Sequence, residues 1–213
     1  LRLQLFQRRP DLFAAILIVQ GEPLAQEETM PRIRPTTTLS ITMSLSLAAF
    51  VAVAAQAAEK SIPVSAISAN GVGMALGTIM AKDTSYGLML TPDLKQVGQP
   101  GPHGFHVHEK GDCGTAAGPD GRPVAGLAAG GHYDPHKTGM HHGPLAKDGH
   151  KGDLPPLVVN GDGTATLPVL APHLKVRDLA GRAIMIHAGG DNYSDQPAPL
   201  GGGGPRIACG VIK

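Results

Sequence analysis

Two histidines one residue apart constrain this chain more than any other feature. They sit in Gly104 to Cys113, read as GFHVHEKGDC. An extended backbone sends successive side chains to opposite faces. His106 and His108 then share one face, close enough for a common metal ion, while Phe105 and Val107 offer an aromatic and a β-branched group to a core. Taken alone, the pattern also fits a half-buried strand with a polar face. The distribution of the remaining histidines argues for a site, because all ten lie between His103 and His187.

Composition points the same way for the fold. Aromatic residues make up 3% of the chain and Trp is absent, whereas Gly (29) and Pro (19) are abundant. That mixture suits many turns around a core of small and β-branched residues, hence an all-β domain. Strands are expected at Ser61 to Ile67, Gly73 to Lys82, Gly87 to Leu90, Gly104 to His108, Pro156 to Asn160, Gly163 to Val169, Arg182 to His187 and Arg206 to Ile212. Asn160-Gly161-Asp162-Gly163 is a hairpin signal, and Lys82 to Ser85 a softer one. Eight short strands predict a sandwich or barrel. The intervening stretches 109–155 and 188–205 are too long to be simple connectors, which marks them as functional loops. A net charge of +1 indicates neither a nucleic-acid footprint nor a strongly acidic partner.

The first part of the chain reads as targeting sequence. From Met30, a basic start (Arg32, Arg34), an apolar run from Leu45 to Ala55 and small residues at Ala55 and Ala57 spell a secretory signal peptide over residues 30–57. The run is shorter than the ~20 residues of a membrane span, so no stable membrane anchor is expected. Residues 1–29 are expected to be an upstream extension without a structural role. Residues 58–213 are then expected to form one exported domain, in which Lys and Arg balance Asp and Glu.

The loop after the His-x-His strand carries His132, His136, His141, His142, His150 and Asp153 within 22 residues. Three imidazoles and a carboxylate make a full four-coordinate shell for zinc. The expected strand AIMIHAGG ends on His187, which can complete a four-imidazole set with His106, His108 and one loop histidine. Four nitrogens favour copper. Cys113 and Cys209 are the only cysteines, and an even count in an exported protein favours a disulfide.

With these segments assembled, the chain resembles the copper/zinc superoxide dismutases of the bacterial exported type. GFHVHEKGDC, GGHYDP, HHGP, GHKGDLPPL, MIHAGGDN and GGGGPRIACGVI follow in the family's order. The resemblance implies an eight-stranded Greek-key β-barrel with one copper and one zinc per subunit. It implies that His106, His108, His132 and His187 bind copper, and that His132, His141, His150 and Asp153 bind zinc, His132 bridging the two. Asp191 falls where a carboxylate links a copper histidine to a zinc histidine, and Arg206 where an Arg guides the anionic substrate. His142 competes with His141 for zinc on sequence alone, and His103, His136 and His173 are expected at the surface. The implied activity is dismutation of superoxide to oxygen and hydrogen peroxide, with Arg206 and His132 as the catalytic residues, by a monomer or homodimer that protects the cell envelope. A copper/zinc carrier on the same fold is the alternative; it would need the ligands but neither Arg206 nor a bridging imidazole.

Overall fold

The computed structural model describes residues 57–213. The expected extension over 1–29 and signal peptide over 30–57, Ala57 excepted, lie outside the described residues. The chain runs through β1 (Glu59–Ser68), β2 (Gly71–Thr84), β3 (Gly87–Leu94), β4 (Gly101–His103), β5 (Phe105–His108), β6 (Ala116–Ala117), β7 (Pro123–Val124), β8 (Leu157–Val159), β9 (Val169–Ala171), β10 (Arg182–His187) and β11 (Arg206–Ile212). Among the described residues, helix is confined to short 3-10 turns at Leu127–Ala129, Val176–Leu179 and Leu200–Gly202. Among the described residues no helix is long and apolar enough to cross a membrane.

Period-two alternation builds the strands. In β3 the side chains of Leu88, Leu90, Pro92 and Leu94 are buried, while Thr91 and Asp93 face out. Seven strands form one antiparallel sheet in the order β5-β10-β11-β1-β2-β3-β9. Neighbours such as β5 and β10, β11 and β1, and β3 and β9 are distant in sequence, the signature of Greek-key connections. Ile62 of β1, Ile79 of β2, Leu90 of β3, Val107 of β5, Val169 of β9 and Ile184 of β10 all join one core cluster. Strands from both ends of the sheet meet in that core, so the sheet curls around it. A separate two-stranded sheet pairs β8 with β4, and Leu157 and Val159 of β8 join the same core.

The expected strand over Gly163 to Val169 is the one that departs from its predicted place. Regular pairing with β3 begins only at Val169, and upstream a single bridge joins Ala165 to Leu94. Both stretches keep one register, since Leu90 faces Val169 and Leu94 faces Ala165. It is a single strand broken beside Pro168, whose ring nitrogen carries no proton to donate. The preceding hairpin forms as expected, with Asn160 N–H donating to Thr164 O at 2.7 Å.

Candidate metal centre

The site is assembled on the main chain of β5. Val107 N–H donates to Gly152 O (2.9 Å), and Val107 O accepts the Tyr133 N–H (2.8 Å). Both ends of the long loop thus dock between His106 and His108, with Gly152 N–H closing the loop onto Tyr133 O at 2.8 Å. The result is two bridges, His108 against His132 and His106 against Asp153. Gly152 is required here, because a Cβ would collide with the Val107 carbonyl oxygen. On the other edge of β5, β10 pairs Met185 with His106 and Ala183 with His108, and its last residue, His187, faces Arg206 of β11.

These pairings produce two buried clusters that share one residue. One is His106, His108, His132 and His187; the other is His132, His141, His150 and Asp153; within each, the ligand atoms lie within 4.8 Å of one another. The predicted residues therefore come together in the two predicted groups. His142, adjacent to His141, is exposed and turned to Asp148 (3.3 Å). His136 and His173 are exposed as expected.

The pattern of satisfied and unsatisfied nitrogens fits two metal ions. Four of the rings are held by one nitrogen: His106 Nε2 donates to Asp191 Oδ2 (2.7 Å), His108 Nδ1 to Gly130 O (3.0 Å) and His187 Nδ1 to Gly204 O (3.0 Å). His141 Nε2 donates to Asp191 Oδ1 (2.8 Å). The opposite atoms of these four rings, His106 Nδ1, His108 Nε2, His187 Nε2 and His141 Nδ1, are buried without a hydrogen-bond partner, and so are His132 Nε2 and His150 Nδ1. Buried polar atoms without partners are rare in proteins. Here they converge. The Nδ1 atoms of His132, His141 and His150 lie 2.9, 3.0 and 3.4 Å from Asp153 Oδ1, as donors around one tetrahedral ion would. Neutral imidazoles alone suit copper, and imidazoles with a carboxylate suit zinc.

Electrostatics divide the two clusters. Burial, then the nearby His132 and His187, hold the His106 ring down at about 3. Burial and His132 likewise push His108 well below the ordinary imidazole range, and His187 sits at about 4 through burial and its neighbours His132 and Arg206. Burial also lowers His132, against the pull of Asp153. His141 is the exception. Burial opposes its protonation, but the Asp153 and Asp191 carboxylates outweigh that and raise it to about 9. Both carboxylates are themselves held far below their usual range, burial being overcome by the histidines around them.

Arg206 is anchored through Nη1 to Gly126 O (2.6 Å) and Nη2 to Gly130 O (2.8 Å), so it shares the Gly130 carbonyl with His108. It lines a cavity of about 310 Å³ with His187, Pro199, Leu200 and Gly202 to Gly204. A larger hollow, about 620 Å³ around Gly77, Asp93 and Asp162, shares no residue with the histidine clusters. Cys113 and Cys209 are bonded across 96 residues, with Cα atoms 5.7 Å apart.

One expectation fails at the edge of the site. His103, expected at the surface, is 3% exposed, and its Nδ1 and Nε2 lie 2.7 Å from the carbonyl oxygens of His187 and Gln99. It ties the end of β10 to the segment before β4, so its interior place depends on contacts with residue 187 that its own sequence neighbours do not reveal. Sequence reasoning also missed Asp195, whose carboxylate accepts the His141 main-chain N–H at 2.9 Å.

A curled Greek-key sheet carrying two histidine clusters that share one imidazole defines a two-metal β-barrel protein. Residues 75–212 match the family described as copper/zinc superoxide dismutase (SODC). The chain is 53% identical over 173 residues to "Superoxide dismutase [Cu-Zn] 2" of Salmonella typhimurium, covering 80% of this chain and 98% of the relative. Among solved structures, the Cu/Zn superoxide dismutase from Brucella abortus is 45% identical with a TM-score of 0.70, covering 73% of this chain and 100% of that one. The monomeric copper, zinc superoxide dismutase from Salmonella enterica is 54% identical with a TM-score of 0.66, at the same coverage. The chain belongs to the copper/zinc superoxide dismutase family.

Proposed function

We propose that this protein dismutates superoxide, converting two superoxide anions and two protons to oxygen and hydrogen peroxide. The observation that carries the reading is the sharing of His132 between an all-imidazole cluster and an imidazole-carboxylate cluster beside Arg206. In this assignment His106, His108, His132 and His187 hold copper, and His132, His141, His150 and Asp153 hold zinc. Copper supplies a one-electron couple that alternately oxidises and reduces superoxide.

The chain's own residues do the remaining work. Arg206, fixed by two carbonyl oxygens, places a positive charge at the cavity where a small anion enters. Asp191 accepts from His106 and His141 at once, fixing one ring of each cluster and so their mutual geometry. Gly130 O and Gly204 O select the tautomer of His108 and His187 that leaves Nε2 free. His132 Nε2, buried and without a partner, is the atom at which a proton can be held beside the substrate. A carrier would need the two ligand sets but no fixed Arg206 and no shared imidazole.

The reading extends to export. A periplasmic location and removal of residues 30–57 accord with the Cys113–Cys209 bond and with bacterial relatives. For assembly, the Salmonella enterica structure is described as monomeric, and sedimentation of the purified protein separates a monomer from a homodimer.

The deciding experiment is a superoxide-consumption assay on purified protein of measured copper and zinc content, beside His132→Ala. Wild type should remove superoxide with one copper and one zinc bound, and His132→Ala should lose activity and weaken both metals. A fully loaded wild type without activity would favour the carrier.

A further inference from the structure

The segment from Asp191 to Leu200 touches the zinc-side loop at more points than the one assigned above. Besides the Asp191 carboxylate on the His141 ring, Asp195 uses both of its oxygens. Oδ2 accepts the His141 N–H at 2.9 Å and Oδ1 accepts the Leu200 N–H at 3.0 Å. Two residues earlier, the Tyr193 side chain packs against Gly143, where an added Cβ would come within 2.7 Å of the ring carbon Cγ. Tyr193 is itself fixed, its N–H donating to Asp191 Oδ1 at 2.7 Å. Gly143 N–H reaches Asp153 Oδ2 at 3.3 Å. The main chain on either side of the His141–His142 peptide is therefore gripped, at 141 by Asp195 and at 143 by Tyr193.

The grip matters because of what it holds. His141 lies in a stretch with left-handed glycines at Gly139 (φ 63°) and Gly143 (φ 79°), a backbone with many alternatives once released. The ring is 0% exposed, and Asp191 fixes only its Nε2 end. A second anchor on the backbone is needed for Nδ1 to point at Asp153 rather than swing about the Asp191 contact.

We propose that Asp195 is a positioning residue for the zinc site: it locks the His141 main chain, so that retention of zinc depends on the Asp191 to Leu200 segment staying closed over the loop. The proposal rests on the reading that His141 binds zinc. Tyr193 assists through the contact of its ring with Gly143, and its hydroxyl has no part.

Asp195→Ala should release zinc to a chelator about tenfold faster, the range typical of residues that orient metal ligands, with the rate of copper release unchanged. In the metal-free protein, amide exchange at His141 should accelerate. Asp195→Asn offers one acceptor oxygen to two N–H groups, so it should lose protection at His141 or at Leu200 but not at both. Tyr193→Phe should match wild type. Unchanged zinc release, or zinc and copper lost equally faster, overturns the proposal. If wild type holds no zinc through His141, the zinc assignment fails instead. The exchange rate of the metal-free His141 amide then decides whether Asp195 locks the loop: wild-type exchange in Asp195→Ala overturns that as well.

Discussion

At the scale of single residues, charge decides most of what this site can do. Arg206→Ile removes the fixed cation beside His187 and should lower the second-order rate with superoxide about tenfold, flattening its dependence on ionic strength. Metal content should stay close to normal. Steady-state or pulse-radiolysis rates across a salt series check this, and an unchanged salt slope would assign the attraction elsewhere. The shifted ring of His141 gives a second expectation. Because it is raised to about 9, His141 is protonated at neutral pH in the metal-free protein, and under the proposed zinc assignment the metal has to displace that proton. Zinc binding at pH 7 should release about one proton, and apparent affinity should rise about tenfold per pH unit up to pH ~9, then level; a pH-stat titration measures it. For the metal-free fold the sign is opposite. A raised folded value stabilises fully below the unfolded value of about 6.5 and is lost as pH rises through about 9. The residues legible in the sequence were those whose chemistry is rare, histidines and a carboxylate at ligand spacing. Asp195 and the burial of His103 were not legible, because an aspartate or a lone histidine acquires its role only from a main-chain group that another part of the chain delivers.

At the scale of elements, the strands were readable wherever alternation was clean. β1, β2, β3, β5, β8, β10 and β11 lie close to where apolar periodicity put them. The stretch after the Asn160 hairpin misled because Pro168 breaks its ladder while leaving its register intact. The paths of the two long loops were beyond sequence reading, since they are set by docking onto β5 rather than by local propensity. That docking is testable. Gly152→Ala should push the loop off Val107 and destabilise the metal-free protein by about 2 kcal/mol, with weaker binding of both metals, measured by thermal unfolding and metal analysis. Normal stability would mean that the loop can shift without leaving β5.

At the scale of the whole molecule, one covalent tie spans most of the domain. Replacing Cys113 and Cys209 by Ser should cost up to about 4 kcal/mol on the chain-entropy account, seen as a lower denaturant midpoint. The loss should also reach the site, because Arg206 is anchored on Gly126 and Gly130 of the segment that Cys113 begins. The seating of the long loop on Val107 has a further meaning for the molecule as a solute. β5 ends the seven-stranded sheet, and residues 132–133 and 152–154 cover the hydrogen-bonding groups on its outer side. Bare strand edges of this kind recruit other chains. The loop that carries His132, His141, His150 and Asp153 is therefore also the guard of an adhesive border, and whatever loosens it, loss of metal or Gly152→Ala, should make the protein self-associate through β5.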